Sequence, residues 1–446
     1  DAWSDSDAGG IDLTVTETNE ATGIFDENAS STEAEQALWA TRGRKSLNLE
    51  VELMKKTLLA TTAIVGATLL AAPANAGTVG SRDSFNVSLG GIMWFSAFLR
   101  DEDTSATDGR GYGFTVSESE IWVNADATAD NGIKFGVHTE LNAGGDDGTA
   151  ADEVWAYMDS DAWGRIEMGD QDDATNRMQM GAWNAVKGAS GPFGGLGGLN
   201  TVFDGNGTDT LQSRADWQIF TTADATKVTY FSPRFSGFQV GASYTPDSGE
   251  NSGGGAFTDA DDDGDFENVL GISANYTGNF DAVSVGLSAG WETGEDEVAN
   301  PQVFTPTTAE DLSIWGVGGR IGFGGFTIGA HYRDYGDVFL TAAQTALGAD
   351  SGDQWSVGVG YQAGPWGVSA WYLKGEKDNV NTSGAGATET EVTRYGLGAG
   401  YAVAPGWALR AELEFNNVDN ATSAAGVGTT TDSDGKGFLL VNRFVF

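Results

Sequence analysis

Residues 237–244, GFQVGASY, carry an apolar or aromatic side chain at every second position, with Gly, Ser or a polar residue between. WSVGVGY (355–361), FTIGAHY (326–332) and YGLGAGY (395–401) repeat the pattern. Successive side chains of a strand point to opposite faces, so this period of two describes strands whose two faces meet different surroundings. The connections alternate as well. Ala129–Gly132, Asp159–Ala162, Pro233–Gly237, Thr277–Asn279, Gly322–Gly325, Ala363–Pro365 and Ala404–Gly406 are short. Those at 101–112, 143–152, 171–224, 247–266, 294–310, 337–352, 377–391 and 419–436 are long, acidic and rich in Gly, Ser and Thr. Seven turns and eight loops join sixteen strands. They are placed at 84–100, 114–127, 133–142, 153–159, 163–170, 226–233, 237–246, 267–277, 280–293, 311–322, 325–336, 353–363, 366–376, 392–403, 407–418 and 437–446.

A soluble β-sandwich also alternates, but it needs neither a strict short–long rhythm nor acidic loops. Three further features favour a closed barrel in an outer membrane. Met54–Ala76, MKKTLLATTAIVGATLLAAPANA, has a basic start, an apolar run from Leu58 to Ala72 and a small-x-small end, the form of a secretory leader. Its apolar run is short for a spanning helix. The acidic, unpatterned stretch 1–53 before it is expected to be upstream translated or disordered sequence, with 77–446 as the barrel. Tyr244, Tyr276, Trp291, Tyr332, Tyr361 and Tyr401 fall near strand ends, where interfacial aromatic girdles form. Closure also removes the unpaired edges that hydrocarbon cannot hydrogen-bond.

Composition narrows the partners. Asp and Glu number 64 against 23 Lys and Arg, a net charge of −41, which disfavours nucleic acid. With no Cys, disulfide scaffolds and thiolate metal sites are excluded. The Gly-rich run 191–200, GPFGGLGGLN, lacks both a preceding strand and a following Lys-Ser/Thr, so it is not a phosphate-binding loop.

The chain ends GFLLVNRFVF, with Phe446, Phe444, Asn442, Leu440 and Phe438 on one face. This resembles the outer-membrane insertion signal, with Asn442 the one departure. Ser84–Phe98 looks like a first strand after leader cleavage, and Tyr157–Gln171, YMDSDAWGRIEMGDQ, like the strand–turn–strand before a third loop. Lys227–Tyr244 is similar to a strand pair around a Ser-Pro-x-Phe-x-Gly-Phe turn. Together these segments resemble the general porins of Gram-negative outer membranes, and the alphaproteobacterial branch most. The resemblance implies an all-β, sixteen-stranded antiparallel transmembrane barrel. It also implies a homotrimer that passes small hydrophilic solutes by diffusion, narrowed by an inward-folded third loop. Here that loop is 171–224, with Asp172, Asp173, Asp204, Asp209 and Asp216.

Alternation then assigns the faces. Ile121, Val123, Ala125, Phe135, Val137 and Leu141 face lipid, which turns Glu118, Glu120, Asn124, Lys134, His138 and Glu140 inward. Glu153, Arg165 and Glu167 also face inward, and Arg100, Arg320, Arg333, Arg394, Arg410 and Arg443 are candidates for the lumen or its rims. Glu153 and Asp170 stand where the family often has Arg, so the expected lining is acidic and the expected preference is for cations. Asp259, Asp261, Asp263 and Asp265 resemble the first half of a calcium loop, but position twelve is Leu270. They are candidates for Ca2+ or Mg2+, as are bridges from the acidic loops to lipopolysaccharide. No pattern calls for another cofactor. The two histidines, His138 and His331, form no recognisable catalytic spacing with Ser and acid. A solute-specific channel and a plugged structural or adhesive barrel are the alternatives to passive diffusion.

Overall fold

The computed structural model describes residues 77–82, 85–102, 111–144, 151–189, 191–193, 222, 224–249, 266–296, 310–338, 340–380, 387–420 and 433–446. Its strands are β1 (Gly77–Arg82), β2 (Phe85–Glu102), β3 (Tyr112–Thr128), β4 (Lys134–Asn142), β5 (Ala151–Ser160) and β6 (Gly164–Asp170). They continue with β7 (Thr226–Phe231), β8 (Phe238–Asp247), β9 (Phe266–Phe280), β10 (Val283–Asp296), β11 (Leu312–Phe323) and β12 (Phe326–Asp334). The last are β13 (Asp350–Ala363), β14 (Trp366–Val380), β15 (Ala387–Ala404), β16 (Trp407–Asn420) and β17 (Ser433–Val445).

From β2 onward each strand pairs antiparallel with the next, and β17 returns to β2, with Val445 opposite Ile92 and Gly435 opposite Glu102. Sixteen strands therefore form a closed ring. The terminal residue completes it: Phe446 N–H donates to the Gly91 carbonyl at 3.0 Å, and Gly91 N–H donates to that of Phe446 at 2.9 Å. The short β1 corrects the sequence reading, which starts the first strand at 84. It folds back on the start of β2, from Gly77 opposite Leu89 to Arg82 opposite Phe85. Its sequence, GTVGSR, has no alternation to reveal it.

Apolar side chains occupy one face of the wall. In β13, Trp355, Val357, Val359 and Tyr361 are exposed while Gln354 and Ser356, on the opposite parity, are buried. Aromatic pairs form two belts on the apolar face. Trp366–Tyr401 (ring centroids 4.2 Å apart), Phe326–Tyr361 (4.6 Å) and Phe238–Tyr276 (4.7 Å) lie at the short turns. Tyr395–Phe415 (5.0 Å), Trp355–Tyr372 (5.1 Å) and Trp315–Tyr332 (5.4 Å) lie nearer the loops. Two girdles flanking an apolar band are what a barrel needs at the two interfaces of a bilayer.

The polar face is the inner one, as the path of residues 171–193 shows. After β6 the chain forms the helix α1 (Ala174–Met178) and 3-10 turns at Ala182–Ala185 and Gly191–Phe193. On the way it touches β8, β9 and β10, then β11, β12 and β13, then β14 and β15. Ala189 packs with Ile92, Trp94, Leu439 and Val441 of β2 and β17. So short a segment reaches this many strands of a ring only from within. Serines of β8, β10 and β14 receive its backbone: Ala174 N–H donates to Ser243 Oγ, Met180 N–H to Ser288 Oγ and Lys187 N–H to Ser369 Oγ, each at 2.8 Å. Gly191 N–H donates to Glu412 Oε1 at 2.7 Å. Each such bond adds about 0.5–1.5 kcal/mol. The wall also makes room for the segment. A Cβ at Gly400 would fall 2.5 Å from the Lys187 carbonyl oxygen, and one at Gly398 2.6 Å from the Gly188 backbone.

Candidate pore lining

Two irregularities in strand pairing gather the carboxylates. Between β2 and β3, Trp94 faces Glu118 but Phe95 faces Val116, which leaves Ser117 as an extra residue. The bulge switches the parity of β3: Phe114 and Val116 face out before it, and Ile121 faces out after it. Glu118 and Glu120 thereby turn inward together. Ser117 Oγ and Ser96 Oγ, 2.6 Å apart, fix the bulge from the partner strand. Between β4 and β5, Thr139 faces Val154 but Leu141 faces Ala151. Two residues of β5, Asp152 and Glu153, thus stand against the single Glu140. Bulges re-aim side chains in this way at functional positions.

The result is a continuous acidic corner. Oxygens of Glu120, Glu140 and Asp152 lie within 4.8 Å of one another, as do those of Glu153, Asp172 and Asp224. A third group joins His138 to Glu140 and Glu153 at the same spacing. Neighbouring indoles face these acids: Trp122 Nε1 donates to Glu120 Oε2 at 2.7 Å and Trp155 Nε1 to Glu153 Oε2 at 3.1 Å. His138 Nε2 is 2.8 Å from Glu140 Oε1 and its Nδ1 is 2.6 Å from Asn124 Oδ1. Hard oxygen donors at this spacing are the type that divalent cations accept. Burial raises the Asp172 carboxyl to about 6, with Asp173 adding to the rise. Burial likewise raises Asp224 to about 7, helped by Asp172 and Asp152. Lys227 is the cation behind this corner; its Nζ donates to the Gln171 and Ala225 carbonyls.

A basic group faces the lumen elsewhere. Lys187, carried by the inner segment, has its ammonium pKa lowered by burial and then by Arg410 and Arg320. Arg443 lies with its guanidinium 5.2 Å from the centroid of Trp94, the register partner of Glu118. The two signs of charge thus meet across β17, β2 and β3.

Several sequence candidates have other work. Asp173 is buried as the N-cap of α1, accepting from Asn176 N–H at 2.8 Å and from the Thr175 hydroxyl. Its inclusion among pore-lining acids is corrected accordingly, because a capping carboxylate with 1 % exposure does not face an aqueous path. Asp170 is also buried and accepts from Thr226 Oγ1 at 2.5 Å. Glu167 is fully buried between Arg165 and Arg177, so its charge is spent on those two partners. Lys134 opens β4 at the short-turn end, away from the corner, and Arg100 sits near the loop end of β2 opposite Gly437. Arg333 reaches Gln179 of the inner segment at 3.3 Å, and Arg394 pairs with Glu414. Phe444 stacks on Trp407 at 5.8 Å on the outer face, beside the closing strand pair. Asp204, Asp209, Asp259, Asp261, Asp263 and Asp265 lie outside the described residues.

Sequence reasoning missed Asp152, Asp224 and Lys187. Asp152 has the outward parity of β5 and is turned in by the bulge. Asp224 and Lys187 belong to a connection that alternation does not describe.

A family model described as Gram-negative porin matches residues 60–421. The chain is 24 % identical over 420 residues to an uncharacterized protein of Rickettsia felis, covering 81 % of this chain and 92 % of that one. It is 26 % identical over 311 residues to an uncharacterized protein of Rickettsia conorii, of whose length it spans 66 %, with 56 % of this chain covered. Among solved structures it is similar to OmpT, an outer membrane protein of Vibrio cholerae in its trimer form (TM-score 0.53, 16 % identity, 82 % of this chain and 100 % of that one). It is equally similar to an anion-selective porin from Comamonas acidovorans (TM-score 0.53, 15 % identity, 81 % and 100 %). At these identities the structural likeness is one of fold.

Proposed function

The chain belongs to the Gram-negative porins, and from that membership we propose that it forms a water-filled outer-membrane channel with a preference for cations. Small hydrophilic solutes pass by diffusion through the ring, past the inner segment 171–193. The preference is carried by one observation: the two bulges, the start of the inner segment and the residues just before β7 bring Glu118, Glu120, Glu140, Asp152, Glu153, Asp172 and Asp224 to one corner of the lumen. A lining of one sign concentrates counter-ions in a confined, low-dielectric path. The basic group, Lys187 with Arg320, Arg410 and Arg443, is smaller and opposes that corner without cancelling it.

Assembly as a homotrimer is part of the same reading, supported by the family and by the trimer form of the Vibrio cholerae neighbour. Reconstitution in a planar bilayer under a salt gradient tests both. Conductance steps in threes and a reversal potential of cation sign are the expected results. A reversal potential of anion sign would overturn the selectivity, and an absence of conductance from folded, heat-modifiable protein would overturn the channel.

A further inference from the structure

The acidic corner contains one nitrogen ligand. His138 and Glu140 stand two residues apart on the inner face of β4, and the bulge between β4 and β5 sets Glu153 beside them. A ring nitrogen of His138 and one oxygen each of Glu140 and Glu153 lie within 4.8 Å of one another. The closest pair is His138 Nε2 and Glu140 Oε1, 2.8 Å apart. Both side chains are open to the lumen, with 14 % exposure for His138 and 20 % for Glu140. Among the described residues, no Lys or Arg forms an ion pair with Glu140 or Glu153.

Neighbouring side chains orient these groups as ligands. Asn124 of β3 is the register partner of His138, and its Oδ1 lies 2.6 Å from Nδ1. That oxygen only accepts, so Nδ1 carries the ring hydrogen and Nε2 turns its other position to the carboxylates. An outer partner on the second ring nitrogen is what fixes the tautomer and angle of metal-binding imidazoles. Trp155, the register partner on the other flank, has its ring 4.9 Å from that of His138 and donates Nε1 to Glu153 Oε2 at 3.1 Å. Asp172 N–H donates to Glu153 Oε1 at 3.4 Å. A carboxylate has about four lone-pair sites, so Glu153 keeps capacity to coordinate. The donor set also selects the ion. Ca2+ and Mg2+ take oxygen ligands, whereas an imidazole with carboxylates suits Zn2+ and its neighbours in the first transition row. Three protein ligands leave a fourth position to water.

We propose that His138 Nε2, Glu140 and Glu153 bind a divalent transition-metal ion of the zinc class on the lumen wall, with Asn124 and Trp155 as positioning residues. The bound ion neutralises carboxylates of the corner and so opposes the cation preference. That consequence rests on the channel reading; the binding does not.

Calorimetric titration of the full, tag-free barrel in detergent, with ZnCl2 and separately with CaCl2, tests the site without a bilayer. A single saturable Zn2+ site per chain is expected, with Ca2+ weaker by about tenfold or more because it gains nothing from the imidazole. Asn124→Ala leaves every ligand in place, lowers Zn2+ affinity by about 10–100-fold and changes the visible absorption of Co2+ bound in place of Zn2+. His138→Gln lowers Zn2+ affinity at least as far and leaves Ca2+ binding unchanged; Glu140→Gln weakens Zn2+ as well. Heat-modifiability on electrophoresis identifies the variants that fold. Equal affinities for Zn2+ and Ca2+, Zn2+ binding unchanged in folded His138→Gln and Glu140→Gln, or no saturable Zn2+ binding by the folded protein would each overturn the site. In a bilayer, Zn2+ should move the reversal potential toward zero, and should fail to do so in His138→Gln. A barrel that binds Zn2+ without conducting overturns the channel and leaves the site standing.

Discussion

The main-chain carbonyl of Ala182 lies directly over Gly358 of β13, where a Cβ would come within 2.7 Å of its oxygen. Gly318, Gly329 and Gly360 stand in the same relation to the carbonyls of Met180, Gly181 and Ala185. The inner segment thus lies in a groove of absent side chains, held by serines at its edges. Gly358→Val fills that groove. Overpacking of this kind costs about 1–3 kcal/mol, and the segment yields before the strand ladder does. The expected outcome is a folded, heat-modifiable barrel with raised single-channel conductance and faster cleavage within 171–193 under limited proteolysis. Unchanged conductance would mean that the segment does not narrow the path.

The raised carboxyls predict a pH dependence. Asp172 titrates at about 6 and Asp224 at about 7, against 3.8 for a free side chain. In both, burial disfavours the charged form, so the folded chain binds these protons more tightly than the unfolded chain. Their contribution to stability is complete below pH 3.8 and is lost as pH rises through about 6 to 7. Selectivity moves the other way, because the charge that attracts cations appears over the same window. Reversal potentials measured from about pH 8 down to about pH 5 should fall toward zero as the two groups protonate. Asp172→Asn with Asp224→Asn should flatten that profile.

The outer face of this structure was legible in the sequence, and the inner face was legible along the regular strands but not at the bulge of β5 or along the inner segment. Val357, Val359, Leu397 and Leu413 face outward as their alternation requires, and Phe446 closes the ring. That face meets one uniform surrounding, so a period of two suffices to find it. The inner face answers to local events. Glu118 and Glu120 read as inward from their alternation with Ile121, but the bulge that turns Asp152 inward beside Glu140 leaves no mark in hydropathy. Asp173 reads as one more loop acid until α1 forms behind it and takes it as a cap. The abundant glycine was visible as composition, but its purpose depends on a contact between Gly358 and Ala182, which lie far apart in the chain.

The acidic corner also predicts an ordering among charge variants. Glu120 and Glu153 each belong to a close group of carboxylates and are not held by a cation in the way Glu167 is held by Arg165 and Arg177. Glu120→Gln and Glu153→Gln together should therefore lower the cation-to-anion permeability ratio, with thermal stability maintained or raised because like charges are removed. Lys187→Gln should raise the ratio, since it removes a cation beside Arg320 and Arg410. Reversal potentials of the variants at fixed pH and low ionic strength provide the check. A ratio that fails to move in either direction would assign the selectivity to groups outside the described residues.

Arg394 and Glu414 form a buried ion pair on the inner wall, and stability is where it should be felt. Both are buried, with Arg394 Nε donating to Glu414 Oε1 at 2.9 Å and the guanidinium 5.7 Å from the Trp371 centroid. Trp371 Nε1 in turn donates to Glu412, which anchors Gly191 of the inner segment. Removing one member of a buried pair leaves the other charge uncompensated, at a cost of about 3–5 kcal/mol. Glu414→Leu should lower the denaturation temperature of the barrel and loosen the segment near Gly191. Arg394→Met combined with Glu414→Leu should recover most of the loss, because a packed apolar pair of similar volume avoids the desolvation that an ion pair requires. Heat-modifiability of the single and double variants on electrophoresis measures both steps. A double variant as unstable as the single one would show that Arg394 supports the wall through Trp371 alone, and not through its charge.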